Sequence, residues 1–118
     1  MPDARPTNRR IETYSDFWPY YLQEHAKPGT RALHYAGTGV AIASVLAFAI
    51  TGNAWFMPLA FVGGYAFAWF AHFFIEKNRP ATFTHPLWSL ISDFRMAWDW
   101  LRGALSRELD RAGVDRKL

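Results

Sequence analysis

Four residues of this 118-residue chain have the chemistry of a metal site: His25, His34, His72 and His85, its only histidines. Neutral imidazole is a common ligand for iron, copper and zinc. The chain has no cysteine, which excludes thiolate-held zinc, iron–sulfur centres, a thiol nucleophile and a disulfide framework. Without sulfur, an all-nitrogen or nitrogen/carboxylate donor set favours iron(II) or zinc over copper(I). Glu76 follows His72 by four residues, so the two share a helix face, and Glu76 is a candidate carboxylate ligand or partner of a ligand. Asn78 and Arg79 are candidates to hold a substrate carboxylate, Arg79 through a bidentate pair. Each residue also has a plainer use, since interfacial histidines bond locally and arginines at a membrane edge anchor to headgroups.

The elements that must position these groups follow from the placement of charge. With 51% apolar residues and a mean hydropathy of −0.10, the averages resemble those of a soluble domain. Yet all 23 formally charged side chains lie outside Ala32–Ile75, a 44-residue run of which 32 are apolar. A helix crossing the hydrocarbon core needs about 20 such residues. The run therefore predicts two spans, about 33–50 and 55–75, reversing at Thr51-Gly52-Asn53, where Gly and Asn tolerate a tight turn. The aromatic content of 18% excludes a disordered chain. Folding the run about its centre sets His34 level with position 73, beside His72, and His25 level with position 82, near His85. All four histidines then converge at one end, two just inside the apolar boundary, where ionisable groups are costly and usually functional.

Small residues recur every four positions at Gly39, Ala43 and Ala47 and at Ala60, Gly64 and Ala68, a pattern that lets helices approach closely in lipid. Lys and Arg flank the run and are missing from its turn, which predicts both termini on the cytoplasmic side of a bacterial inner membrane or the endoplasmic reticulum. The net charge of +3 suits anionic lipid. No aromatic residues interleave a basic stripe, so no nucleic-acid partner is expected.

Before the run, a short helix capped by Ser15 gathers Phe17, Trp18, Tyr21 and Leu22 on one side. After it, Pro86 opens an amphipathic helix carrying Leu87, Leu90, Ile91, Phe94, Trp98, Leu101, Leu105 and Leu109 at spacings of three and four. Such a helix lies in the interface or covers the hairpin's cytoplasmic end. The fold expected is all-α: a two-span integral membrane hairpin with a short N-terminal helix and a C-terminal amphipathic helix. It forms one membrane domain over 1–118, with a flexible N-terminus over 1–13, a core over 14–110 and a frayed tail over 111–118. The polar start, Met1–Arg10, has no apolar core and does not read as a cleaved signal peptide.

The motif order is Tyr20-Tyr21-Leu22-Gln23-Glu24-His25, Thr30-Arg31-Ala32-Leu33-His34-Tyr35, the two spans, His72-Phe73-Phe74-Ile75-Glu76-Lys77-Asn78-Arg79-Pro80, then His85-Pro86-Leu87 and Asp93. It resembles a small membrane-protein family, long catalogued as a domain of unknown function. The family's characterised fungal members are iron(II)-dependent 2-hydroxy-fatty-acid dioxygenases that act in phytosphingosine breakdown to odd-chain fatty acids. The resemblance covers about residues 14–100. It implies an Fe(2+) cofactor, dioxygen and a 2-hydroxy fatty acid as substrates, α-oxidation to an acid one carbon shorter, and His25, His34, His72 and His85 as catalytic metal ligands. Four histidine ligands would leave two of six octahedral positions, so one of them could instead support a ligand. Besides the enzyme, two other classes are consistent with the residues. One is a haem protein with His34 and His72 as axial ligands. The other is a non-enzymatic membrane adaptor or assembly factor with interfacial histidines. The exposed small-residue faces could also pair between chains as a homo-oligomer.

Overall fold

The structure is a computed structural model and describes residues 11–114. The expectation for the N-terminus falls mostly outside this range, over 1–10, as does the end of the tail, over 115–118. The described residues form an all-helical fold: α1 (Tyr14–Gln23), α2 (Pro28–Thr51), α3 (Phe56–Phe70), α4 (Pro86–Leu101) and α5 (Leu105–Arg111). A π-helical turn, Ala71–Glu76, continues α3, and a short 3₁₀ turn, Ala81–Phe83, precedes α4. α2, and α3 with its π-helical turn, are each long and apolar enough to cross a membrane. The 24 residues of α2 rise about 36 Å, somewhat more than the ~30 Å hydrocarbon thickness.

The local chemistry explains the boundaries. Pro28 occupies the first turn of α2, where its missing N–H costs nothing. Gly52 ends α2 in the left-handed conformation, φ 70°. The Asn53 side-chain oxygen accepts from the Trp55 amide at 3.1 Å and starts the return strand of chain. The hairpin reverses at Thr51-Gly52-Asn53, as the sequence predicts. α1 is capped by Thr13, not Ser15: Thr13 Oγ1 accepts from the Asp16 amide at 3.2 Å. Both residues are good caps two positions apart, and propensity alone does not separate them.

Small residues do make the α2–α3 contact, through a different stripe of α2 than the Gly39 series. A Cβ on Gly39 would meet nothing within 4 Å, whereas one on Gly37 would lie 2.8 Å from the Gly63 carbonyl oxygen. A Cβ on Gly63 would lie 2.4 Å from Val40 Cγ1. Gly37, Ala41 and Ser44 thus form the packed side, and Gly39 and Ala43 face outward. Two overlapping small-residue stripes on one helix are equally good by spacing; the one that packs shares its face with the buried His34, three residues before Gly37.

The amphipathic segment is two helices rather than one, broken at Arg102-Gly103-Ala104. Ser89, Ser92, Met96 and Asp99 face inward, while Leu87, Ile91, Trp98 and Leu101 are exposed. α4 therefore keeps its large apolar residues outward, in line with the exposed apolar surface of the spans, and packs on α1 by its smaller side. Tyr14 Oη lies 2.9 Å from Ser92 Oγ. The Arg95 guanidinium sits 4.0 Å from the Trp18 ring centroid. Phe17, Tyr21, Leu22 and Met96 are fully buried between these helices, each contributing about 1.5–3 kcal/mol by leaving water. Residues 112–114 fold back on this core: Gln23 donates to the Ala112 carbonyl at 2.8 Å, and Val114 is buried.

Candidate metal centre

Three segments meet at the end of the hairpin opposite its turn. The residue after the C-cap of α1 supplies His25, the second turn of α2 supplies His34, and the widened π-helical turn supplies His72. A π-helical turn inserts a residue into the hydrogen-bond ladder and rotates the side chains beyond it, a device common at functional sites. The connections are tied together locally. The Lys27 amide donates to Glu76 Oε1 at 2.9 Å, and Lys27 Nζ to the Ile75 carbonyl at 3.1 Å. Arg31 donates to the His25 and Ala26 carbonyls at 2.9 and 2.8 Å. The α1–α2 connection is thereby held against the π-helical turn.

His25, His34 and His72 are all buried and offer nitrogens within 4.8 Å of one another. His25 Nε2 stands 3.0 Å from His34 Nε2 and 3.0 Å from His72 Nε2. The other ring nitrogen of each is committed to an oxygen: His25 Nδ1 to the Tyr21 carbonyl at 2.6 Å, His34 Nδ1 to the Thr30 carbonyl at 2.9 Å, and His72 Nδ1 to Asn78 Oδ1 at 2.7 Å. A carbonyl can only accept, so each Nδ1 is the protonated nitrogen. The Asn78 amide is oriented by donating its Nδ2 to the Glu24 carbonyl at 3.1 Å, which leaves Oδ1 as the acceptor. In their neutral form, imidazoles so held present their Nε2 lone pairs to one another across this cluster. Lone pairs at that spacing repel unless a proton or a cation lies between them. Burial, then the neighbouring imidazoles of His34 and His72, push His25 well below its ordinary value, so it stays neutral at physiological pH and suited to a metal. Histidine ligands with Nδ1–H tied to a carbonyl or amide oxygen are the usual second layer of a metal site, and the residues fit the ion implied by their type.

His85 lies apart from this group. Its ring stacks 5.5 Å from Trp88 and packs 5.2 Å from Phe17, Nδ1 lies 2.8 Å from Thr84 Oγ1, and Nε2 meets the Ile11 carbonyl at 3.3 Å. It directly precedes Pro86 at the start of α4, a position that anchors α4 to α1. Glu76 Oε1 accepts from the Lys27 amide, and Glu76 is not part of the group formed by the three histidines. Asn78 touches His72, and Arg79 is exposed over the Phe83 ring at 5.7 Å.

Comparison with known families finds a match over residues 11–105 to the family described as 2-hydroxy-palmitic acid dioxygenase Mpo1-like. The chain belongs to that family. Comparisons with curated proteins and with solved structures gave no match. In this Mpo1-like chain, two groups near the histidines were not legible as site residues. Tyr21 stacks 4.0 Å from the His25 ring and donates its hydroxyl to Asp93 on α4. Burial, opposed by that hydrogen bond, raises Asp93 to about 7, and burial together with Asp93 raises Tyr21 well above the usual phenol range. The available signal was spacing: Tyr21 and Thr30 each precede a histidine by four residues, which places their carbonyls where that histidine's Nδ1 can donate to them. A half-open apolar groove of about 190 Å³ runs between α2, α3 and α4, with His34 and Asp93 among its lining residues.

Proposed function

We propose that this chain is a membrane-bound iron(II) dioxygenase that shortens 2-hydroxy fatty acids by one carbon, with His25, His34 and His72 holding the ion. The observation that carries the reading is the gathering of three buried imidazoles, with His25 Nε2 3.0 Å from both His34 Nε2 and His72 Nε2 and each ring fixed by an Nδ1 hydrogen bond. Membership of a family named for 2-hydroxy-palmitic acid dioxygenase supplies the substrate class. Donors about 2.1 Å from a shared ion stand about 3.0 Å apart at right angles and about 3.4 Å apart at the tetrahedral angle. The two 3.0 Å spacings match donors at right angles on one ion, and iron(II) held by three protein ligands keeps open positions. An iron(II) ion bound there would supply dioxygen activation and a binding site for the oxygen-rich head of the substrate.

The chain's own groups do the rest. Thr30, Tyr21 and Asn78 keep the three imidazoles in the tautomer that faces inward. Asp93, held by the Tyr21 hydroxyl, is the carboxyl group among the residues lining the apolar groove and would exchange a proton with the substrate's 2-hydroxyl. The overall change balances without an external reductant: R–CH(OH)–COOH and O₂ give R–COOH, CO₂ and H₂O. Both ends of the chain would face the cytoplasm, so the polar head enters from that side while the acyl tail stays in lipid. The test is product analysis. Full-length protein loaded with iron(II) in lipid nanodiscs should convert 2-hydroxyhexadecanoic acid to pentadecanoic acid with release of CO₂. Iron-loaded, folded protein that leaves the 2-hydroxy acid unchanged would overturn the proposal. A Soret band would point instead to haem.

A further inference from the structure

The groove beside the metal centre has a direction. Its α2 wall is His34, Thr38, Ala41 and Val45, spaced by four, three and four residues, which is one continuous face of the helix. From His34 to Val45 that face rises about 16 Å. The α3 wall runs antiparallel, so Gly64 stands opposite Ala41, Ala60 lies level with Val45, and Met57 lies beyond them toward the turn. The hollow exists because Thr38, Ala41, Ala60 and Gly64 are small: a Cβ on Gly64 would meet only Ala41 Cβ, at 3.9 Å. The ionisable groups His34 and Asp93 stand at one end. The rest of the lining is mainly apolar, with single hydroxyls from Thr38 and Tyr65, and comes from the two segments long enough to span a membrane together with Leu90 and Phe94 of α4.

We infer that this groove is the binding site for the acyl tail of the substrate, with Val45 and Met57 at its far end setting the preferred chain length. The inference rests on the dioxygenase reading and deepens it by assigning the part of the molecule that measures the tail. A tail is the fitting occupant for three reasons: the groove follows one helix face, its ionisable groups stand only at the end that meets the histidines, and it opens along its side at the exposed Val45 and Phe61. A helix from a second chain would need a broad face rather than a channel of about 190 Å³.

The test uses full-length protein in nanodiscs and two readouts. In the first, metal-free protein is irradiated with 2-hydroxyhexadecanoic acid carrying a terminal diazirine. Labelling concentrated on Val45, Met57 and Phe61 supports the inference. Labelling spread over the outward residues Ile42, Leu46 and Val62 overturns it, as does equal labelling of the groove by a phospholipid with the same tail. In the second, V45W and A60F are compared with I42W, which adds the same bulk on the outward face. In V45W and A60F, kcat/KM for long chains should fall relative to that for short chains by about four-fold per displaced methylene, with iron content unchanged, while I42W keeps the wild-type profile. An unaltered chain-length profile in folded, iron-loaded V45W and A60F overturns the inference. Wild-type protein that turns over no 2-hydroxy acid would refute the dioxygenase reading itself, and the labelling pattern would still decide the groove.

Discussion

Asn78 is the most informative single position, because its sequence context suggests contact with substrate while the structure gives it to His72. Its Oδ1 accepts from His72 Nδ1 at 2.7 Å and its Nδ2 donates to the Glu24 carbonyl at 3.1 Å. Asn78→Ala removes both bonds and leaves the Nδ1–H of a buried imidazole without an acceptor. Losing a partner of a buried polar group costs about 1–3 kcal/mol. That cost falls on the tautomer that presents Nε2 inward, because the other tautomer no longer loses a hydrogen bond. Removing such a support lowers metal affinity by about 10–100-fold, or ~1.4–2.7 kcal/mol, so the two estimates agree. The assay is iron(II) competition against a chelator of known affinity, under anaerobic conditions, with substrate KM measured alongside. We expect affinity to drop within that range, and Asn78→Asp to restore much of it, since a carboxylate also accepts from Nδ1. KM per iron-loaded protein should change little. A rise in KM with metal affinity unchanged would refute the reasoning and return Asn78 to the substrate.

Gly63→Val should destabilise the hairpin by roughly 1–3 kcal/mol, because the first added carbon already falls 2.4 Å from Val40 Cγ1; Gly39→Ala, with open space around it, should stay within about 0.5 kcal/mol in the same unfolding titration. Asp93 binds its proton more tightly folded (about 7) than unfolded (3.8), so its contribution to stability is lost as pH rises across that window. Asp93→Asn keeps an acceptor for the Tyr21 hydroxyl and should flatten that fall, by up to ~4 kcal/mol relative to wild type at pH 8; parallel pH–stability curves would contradict this. Thr13→Ala should cost about 0.5–2 kcal/mol through loss of the α1 cap, while Ser15→Ala should be nearly silent.

The hairpin was legible because a 44-residue stretch without formal charge admits few other folds, and its turn was legible because Gly52 and Asn53 interrupt it where a reversal must come. The meeting of His25, His34 and His72 follows from the same arithmetic of depth. His85 shows the limit of that arithmetic. Equal depth does not fix rotation about a helix axis, and its ring is taken up by Trp88 and Phe17. Rotation also explains the Gly39 stripe, which spacing favours as much as the Gly37 face that packs. The π-helical turn that aims His72 has no signature in residue type. The break between α4 and α5 depends on one glycine, Gly103, in an otherwise unbroken apolar pattern, and periodicity passes over a single residue. The inward placement of Ser89 and Ser92 runs against burial by hydrophobicity, and it follows once lipid rather than water is taken as the solvent for the other face.

The most direct measurement is the iron-to-protein ratio in wild type and in each of the four His→Ala variants, purified anaerobically and shown to be folded. The account predicts about one iron per wild-type chain, loss of iron in His25→Ala, His34→Ala and His72→Ala, and full retention in His85→Ala. Iron retained in any of the first three, or lost on changing His85 alone, would contradict a centre built from the three converging imidazoles.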